Sequence, residues 1–292
     1  MRAFIFALAV PTLLGAAELT IDHVTAAGPD LKKMQADLAA VGIRSEYGGP
    51  HSNRATQMAI TSFPDGSYLE LIAPQENADP AALKAHYWYP KMSAGAGPAA
   101  WAVRAADAAA EVKRLQAAGI VTGALSRSGR TRPDGTKLEW ETATVGPEPN
   151  GVFFPFLIRD FSPREPRAFP SGKPTTTDFE GVSKVVIAVR DLDAAVARYR
   201  KAQGFPEPVR HMDVEFGAQL AAFPGTRVIL ASAAGPKSWL AARLQSVGEG
   251  PCAFILRGKN TASYKPAAKS RWFGAQISWL NASTLGWRLG YE

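Results

Sequence analysis

The sequence predicts an α+β fold of tandem paired βαβββ modules, with the second pair degenerate. Three observations carry that expectation. A strand–Asp–helix–Gly plan occurs three times. Each copy is followed by short apolar runs separated by turn dipeptides. A proline-rich stretch, Phe161–Pro174 with four prolines, divides the copies.

The first copy opens with the strand run Leu19–Val24, continues through Pro29-Asp30-Leu31, and ends its helical stretch at Gly42-Ile43. The second runs from Ala100–Arg104 through Asp107 to Gly119-Ile120, and the third from Lys184–Val189 through Asp191-Leu192 to Gly204-Phe205. Asp and Gly stand 12, 12 and 13 positions apart. Asp is a good helix N-cap, because its carboxylate accepts from the free first-turn amides. Gly supplies the left-handed stop. Between them Leu31, Met34, Leu38 and Val41 recur at helical spacing, as do Val112, Leu115 and Ala118. Asp65-Gly66, Asn150-Gly151 and Pro224-Gly225 then precede the closing strands Tyr68–Ile72, Val152–Ile158 and Val228–Leu230.

One βαβββ unit leaves an apolar sheet face open and has to pair with another. Units one and two form a domain over residues 18–160, residues 161–178 are the linker, and a third unit pairs with a fourth over 179–292. That fourth unit starts at Pro251–Leu256. Its residues 257–271 are polar and basic without a helical pattern, and Trp272–Gly290 reads as two last strands.

Composition is that of a globular protein, with 46% hydrophobic and 20% charged residues, which excludes a disordered chain or a disulfide-stapled miniprotein. Residues 1–160 carry 15 Lys/Arg against 16 Asp/Glu, and residues 161–292 carry 18 against 10. The basic half suits an anionic surface as partner, but its cations are scattered, with no basic arm and no nucleic-acid-binding motif, so nucleic acid is not expected. Met1–Ala17 has one positive charge, a short apolar run and a small-residue exit, the parts of an export signal (residues 1–17). That run is too short for a span of about 20 residues, so no transmembrane segment is expected after its removal, and the mature protein is expected in the periplasm or outside the cell. Cys252 is the single cysteine and reads as core. The chain has no phosphate-cradling Gly loop, no Gly-x-Ser-x-Gly elbow and no His-Glu-x-x-His helix.

The paired βαβββ plan, with Ile21-Asp22-His23-Val24, Pro29-Asp30-Leu31 and Tyr68-Leu69-Glu70-Leu71-Ile72, resembles the vicinal-oxygen-chelate superfamily, and within it the glyoxalase-like domain branch. The loop Gly48–Thr56, the run Arg130–Thr136 and the strand Phe154–Ile158 resemble the same branch. The resemblance covers about residues 19–160. It implies a cup of paired sheets in which metal-dependent members hold a divalent ion on a first-strand His and a last-strand carboxylate of each module. On that implication His23 and Glu70 are the matching metal positions.

The second module departs from this pattern, with Ala100-Trp101 and Phe154-Pro155-Phe156 where ligands would stand; the third offers only Val185-Val186 and Ile229-Leu230. Two ligands do not make a three-ligand site. His51 would complete a two-His-one-carboxylate set for one divalent metal ion if its loop folds over the cup. Alternation places His23 on the face of Leu19 and Ile21, and Glu70 on that of Tyr68 and Ile72. Glu70 among apolar neighbours needs a partner, and in a metal-free site it would act as general base or orient a ligand. His51, Arg54, Gln57 and Trp101 are the expected ligand-binding residues. Arg54 suits a carboxylate or phosphate, and Trp101, placed opposite His23, is a pocket wall or core. The leading expectation is an exported binder of a small oxygen-rich molecule without a complete metal site. The alternatives are a metal-dependent lyase, isomerase or dioxygenase using His23 and Glu70, and a surface-interaction protein acting through the basic second domain.

Overall fold

The computed structural model describes residues 19–132 and 134–292. The export signal read over residues 1–17 lies outside the described residues.

The first module is β1 (Ile21–Ala27), α1 (Leu31–Ala40), β2 (Glu46–Pro50), β3 (Thr56–Ser62) and β4 (Tyr68–Pro74). Two short helices, α2 (Pro80–Ala85) and α3 (Tyr89–Ser93), lead to the second module. It comprises β5 (Gly97–Arg104), α4 (Ala108–Ala117), β6 (Ser126–Thr131), β7 (Lys137–Ala143) and β8 (Phe156–Asp160). A single turn, α5 (Glu165–Ala168), precedes the third: β9 (Phe179–Ala188), α6 (Leu192–Gln203), β10 (Val209–Asp213), β11 (Ala218–Ala222) and β12 (Val228–Ala233). Helix α7 (Trp239–Val247) joins it to β13 (Gly250–Gly258), β14 (Ala268–Trp272), β15 (Ala275–Trp279), the turn α8 (Ala282–Leu285) and β16 (Arg288–Tyr291).

The helix boundaries follow from the repeated Asp and Gly. Asp30, Asp107 and Asp191 accept from the backbone N–H three residues on, at Lys33, Ala110 and Ala194. Gly42, Gly119 and Gly204 take positive φ at the far ends, where L side chains are strained. The fourth module has no helix after its first strand, but the polar run contributes β14, so three strands close it rather than two. Pairing with β15 over Ala268–Trp272 supplies the hydrogen bonds that residue pattern alone does not reveal.

Each half is one eight-stranded sheet, ordered β2-β3-β4-β1-β5-β8-β7-β6 and β10-β11-β12-β9-β13-β16-β15-β14. The modules meet at antiparallel pairs, β1 with β5 and β9 with β13. One core fills the space between the sheets: Val24, Leu69 and Trp101 of the first meet Val185, Leu230 and Phe254 of the second, with Leu38, Leu115 and Tyr199 from the helices. The sheets thus stand back to back, and the other face of each forms a separate cup. Among the described residues no helix is long and apolar enough to cross a membrane.

Residues 161–178, read as a linker, fasten themselves to the first sheet. Arg167 is 3% exposed and bonds Asp22, Asp160 and the Tyr68 hydroxyl. Arg164 bonds Asp22 and the Gly66 carbonyl, and Thr175 N–H donates to Ser62 Oγ at 3.0 Å.

Candidate functional site

The first cup encloses a cavity of about 170 Å³. Its walls come from β1, β3, β4 and β8, from the outer strands β6 and β7, and from the segment between α2 and α3. The sheet curls far enough for its edges to touch: Ser52 Oγ donates to the Gly129 carbonyl at 3.0 Å, and Arg130 Nη1 donates to the Gly48 carbonyl.

His23 enters the cup through a β-bulge. Simple alternation puts it on the face of Ile21, but the β1–β5 register shifts between Ile21 and His23, making Asp22 the extra residue. Ile21 and Val24 therefore lie in the shared core while His23 lines the cup. Asp22 sits beneath it, fully buried. Burial alone would raise its pKa, but Arg167, His23 and Arg164 hold it well below the ordinary carboxylate range. An ionised Asp22 only accepts, so His23 Nδ1, 2.6 Å from Asp22 Oδ1, carries the hydrogen and leaves Nε2 facing the cavity. Tyr68 stacks on the imidazole, centroids 4.8 Å apart and planes 6° from parallel.

Glu70 shares the face of Tyr68 and Ile72 as alternation requires, and all three line the cavity. Its side chain is 7% exposed. Thr25 Oγ1 donates to Oε2 at 2.9 Å. His23 Nε2 stands 3.8 Å from Oε2 and His51 Nε2 3.6 Å from Oε1. The His51 loop does fold over the cup, pinned by Asn53 Oδ1 accepting from Ala55 and Thr56 N–H and by Gln75 Nε2 donating to the His51 carbonyl. His51 Nδ1 lies 2.8 Å from Thr56 Oγ1. Burial pushes the His51 imidazole below its ordinary 6.5, against the opposite pull of Glu70.

His23, His51 and Glu70 are thus brought together pairwise. Among the described residues no three His, Cys, Asp or Glu side chains form a group able to hold a metal ion. The donor set implied for a divalent ion therefore does not close around one in this geometry.

Three expected ligand residues lie elsewhere. Trp101 is fully buried in the core behind the sheet, and the residue across from His23 is Ala102, because the bulge displaces the register by one. Trp101 is core, not pocket wall. Arg54 takes φ 58° at the loop tip and is exposed, its carbonyl accepting from Asp79 N–H. Gln57 sits one residue before Met58, which faces the cup, so alternation turns it outward, where its amide donates to the Pro74 carbonyl at 2.9 Å.

Other residues complete the cup without a plain sequence signal. His86 lines it and is held neutral, its pKa pushed down to about 4 chiefly by burial. Trp88, Phe156 and Ile158 give an apolar floor. Arg130 reaches in from β6, whose Ser126–Thr131 sequence reads as an exposed edge strand. Its placement depends on sheet curl, which no local pattern encodes.

The fold is shared with a hypothetical protein of Staphylococcus aureus, 14% identical, matched over 94% of this chain and 99% of that one with a TM-score of 0.63. Methylmalonyl-CoA epimerase from Mycobacterium tuberculosis, 20% identical, matches over 40% of this chain and 89% of its own at a TM-score of 0.35. No functionally curated protein matches the chain. The family model described as the glyoxalase-like domain matches residues 21–183, more than half of the chain. With its paired βαβββ modules and the cup they enclose, the chain belongs to the glyoxalase-like domain family.

Proposed function

We propose that this is an exported protein that binds a small, oxygen-bearing organic molecule in its first cup, against Glu70 and without a complete metal site. One observation carries the reading. Glu70 is buried, yet its one hydrogen bond within 3.5 Å among the described residues comes from Thr25. A carboxylate offers about four acceptor positions, and an acceptor left unmet inside a protein is costly. The remaining positions face a cavity of about 170 Å³ with aromatic walls. A cavity of roughly 150 Å³ suffices for one benzene ring, so a ring bearing a hydroxyl suits both the space and the acceptor. The N-terminal run over residues 1–17 supports export.

Phenol is the probe, followed by tryptophan fluorescence of the mature protein with and without chelator. Saturable binding indifferent to chelator is expected, weakened about tenfold in Glu70→Gln, where one amide edge turns from acceptor to donor. Binding that requires added metal, or that survives Glu70→Gln unchanged, defeats the reading.

A second reading, a metal-dependent lyase, isomerase or dioxygenase on His23, His51 and Glu70, draws on both imidazoles having Nδ1 anchored and Nε2 turned to one carboxylate. Near-stoichiometric metal in the purified wild type, lost in His23→Ala and in Glu70→Gln, would replace the binding reading with this one.

A further inference from the structure

Two buried arginines line the first cup, and they differ in one respect. Arg167 has a full set of partners. Its Nε donates to Asp160 Oδ1, Nη1 to Asp22 Oδ1 and the Tyr68 hydroxyl, and Nη2 to Asp22 Oδ2 and Asp160 Oδ2. Arg130 is nearly as buried, at 7% exposed, but its single hydrogen bond among the described residues runs from Nη1 to the Gly48 carbonyl. Its Nε is buried without a partner among those residues. No carboxylate lies within 4.0 Å of it among the described residues, whereas Arg167 has two.

A guanidinium cannot shed its charge to escape this environment. A buried cation without a counter-ion is destabilising, and in folded proteins such charges are paired. Burial pulls Arg130 below its ordinary value, against the opposite pull of Tyr68 and Glu70. Nη2 has no hydrogen bond among the described residues, and a guanidinium N–H pairs more strongly with a carboxylate than with a neutral acceptor.

We infer that Arg130 is the anchor for a carboxylate on the ligand, so that the cup takes a small monocarboxylate whose apolar body is about one ring in size. Glu70 in the same cavity repels a second carboxylate and restricts the ligand to a single negative charge. Cavity size limits the buried part to about one ring, and anything larger would extend out of the cup.

This inference rests on the cup being the ligand site, and the test separates the two. Binding of 4-hydroxybenzoate and of 4-hydroxybenzamide, which share ring and hydroxyl and differ in charge, is measured by calorimetry on the wild type, Arg130→Gln and Arg130→Lys. Wild type is expected to prefer the carboxylate roughly 10- to 100-fold, the range of a charge-assisted hydrogen-bonded pair. Arg130→Gln should abolish that preference, and Arg130→Lys, which keeps the charge but not the planar guanidinium, should retain part of it. Equal wild-type affinities for the two probes, or a preference that persists in Arg130→Gln, overturns the anchor and leaves the cup as a binding site. Failure of both probes to bind overturns the anchor and the cup together. Should Arg130→Gln fail to fold, the wild-type preference and its partial loss in Arg130→Lys decide the matter.

Discussion

The two halves of this chain use the same topology and fill it with opposite chemistry. In the first cup, strands β1 and β4 present His23, Thr25 and Glu70, and the connection after β4 contributes His86, Tyr87 and Trp88 to the lining of an open cavity. The same face of β9 and β12 presents Val186, Ala188, Ile229 and Ala231. There the matching connection is α7, whose Leu240 and Leu244 pack into the cup against Phe216, Trp272 and Trp279. Phe216 stacks on Trp279 at 5.2 Å and meets Trp272 edge-on at 4.7 Å. A βαβββ pair therefore does not need a polar cup to be stable. Where side chains and a helix close it, the second half is core on both faces of its sheet. The first half keeps a cavity and buried charges instead, and that expense points to use.

The sharpest way to break the comparison is to remove the charge that organises the first cup. Asp22→Asn leaves Arg167 and Arg164 short of their shared counter-ion and should destabilise the fold by about 3–5 kcal/mol in urea denaturation near neutral pH, as for other broken buried pairs. The sign with pH follows from the depressed pKa. The Asp22 contribution is present above the ordinary 3.8 and is lost as pH falls through the lower folded-state value, so wild type and variant should converge in acid.

Trp272→Ala in the second half should destabilise by about 3–5 kcal/mol through the cavity it opens. The Trp272 indole N–H donates to Asp213 Oδ2 at 2.6 Å and helps to hold that carboxylate below its ordinary range, so the difference from wild type should shrink somewhat as pH falls through the same acid range. A difference constant with pH would mean that the indole–carboxylate bond adds nothing to the packing.

A smaller effect separates the linings. Burial keeps His86 neutral down to about 4 while the unfolded chain takes up its proton near 6.5, so wild-type stability should decline as pH falls through that window. His86→Gln should flatten the thermal denaturation midpoint between about pH 7 and about pH 4.5. An unchanged slope would put the proton elsewhere.

The smallest expected effect tests where the halves are alike. Asp30→Ala and Asp191→Ala remove the same cap from α1 and α6, and each should cost about 1 kcal/mol. Unequal losses would show that the two halves unfold separately.

Much of this contrast was legible in the residues. The Asp and Gly of each repeat act locally, through first-turn amides and positive φ, so their spacing gave three helices directly. Glu70 stood out because a carboxylate on an apolar strand calls for a partner. Trp101 misled because a single bulged residue, Asp22, moves every pairing beyond it, and nothing in Ile21-Asp22-His23-Val24 announces a bulge. Arg130 and Arg167 stayed hidden for a related reason. One sits on an edge strand and the other among prolines, and both are drawn inside by contacts distant in sequence: Gly48 for Arg130, and Asp22 for Arg167.

The proline-rich segment after β8 has a practical meaning for anyone who cuts this chain. By composition it is the obvious place to divide the protein into two expressible halves. Yet Arg164 and Arg167 are the cations on which Asp22 rests, and through Asp22 they hold His23 in place. A truncation ending at residue 160 would keep every strand of the first sheet and lose the charges that set its cup. A piece that keeps those charges has to run beyond Thr176, where the segment has made its last bond to Ser62, and it would still bare the core that Val24, Leu69 and Trp101 share with the second sheet.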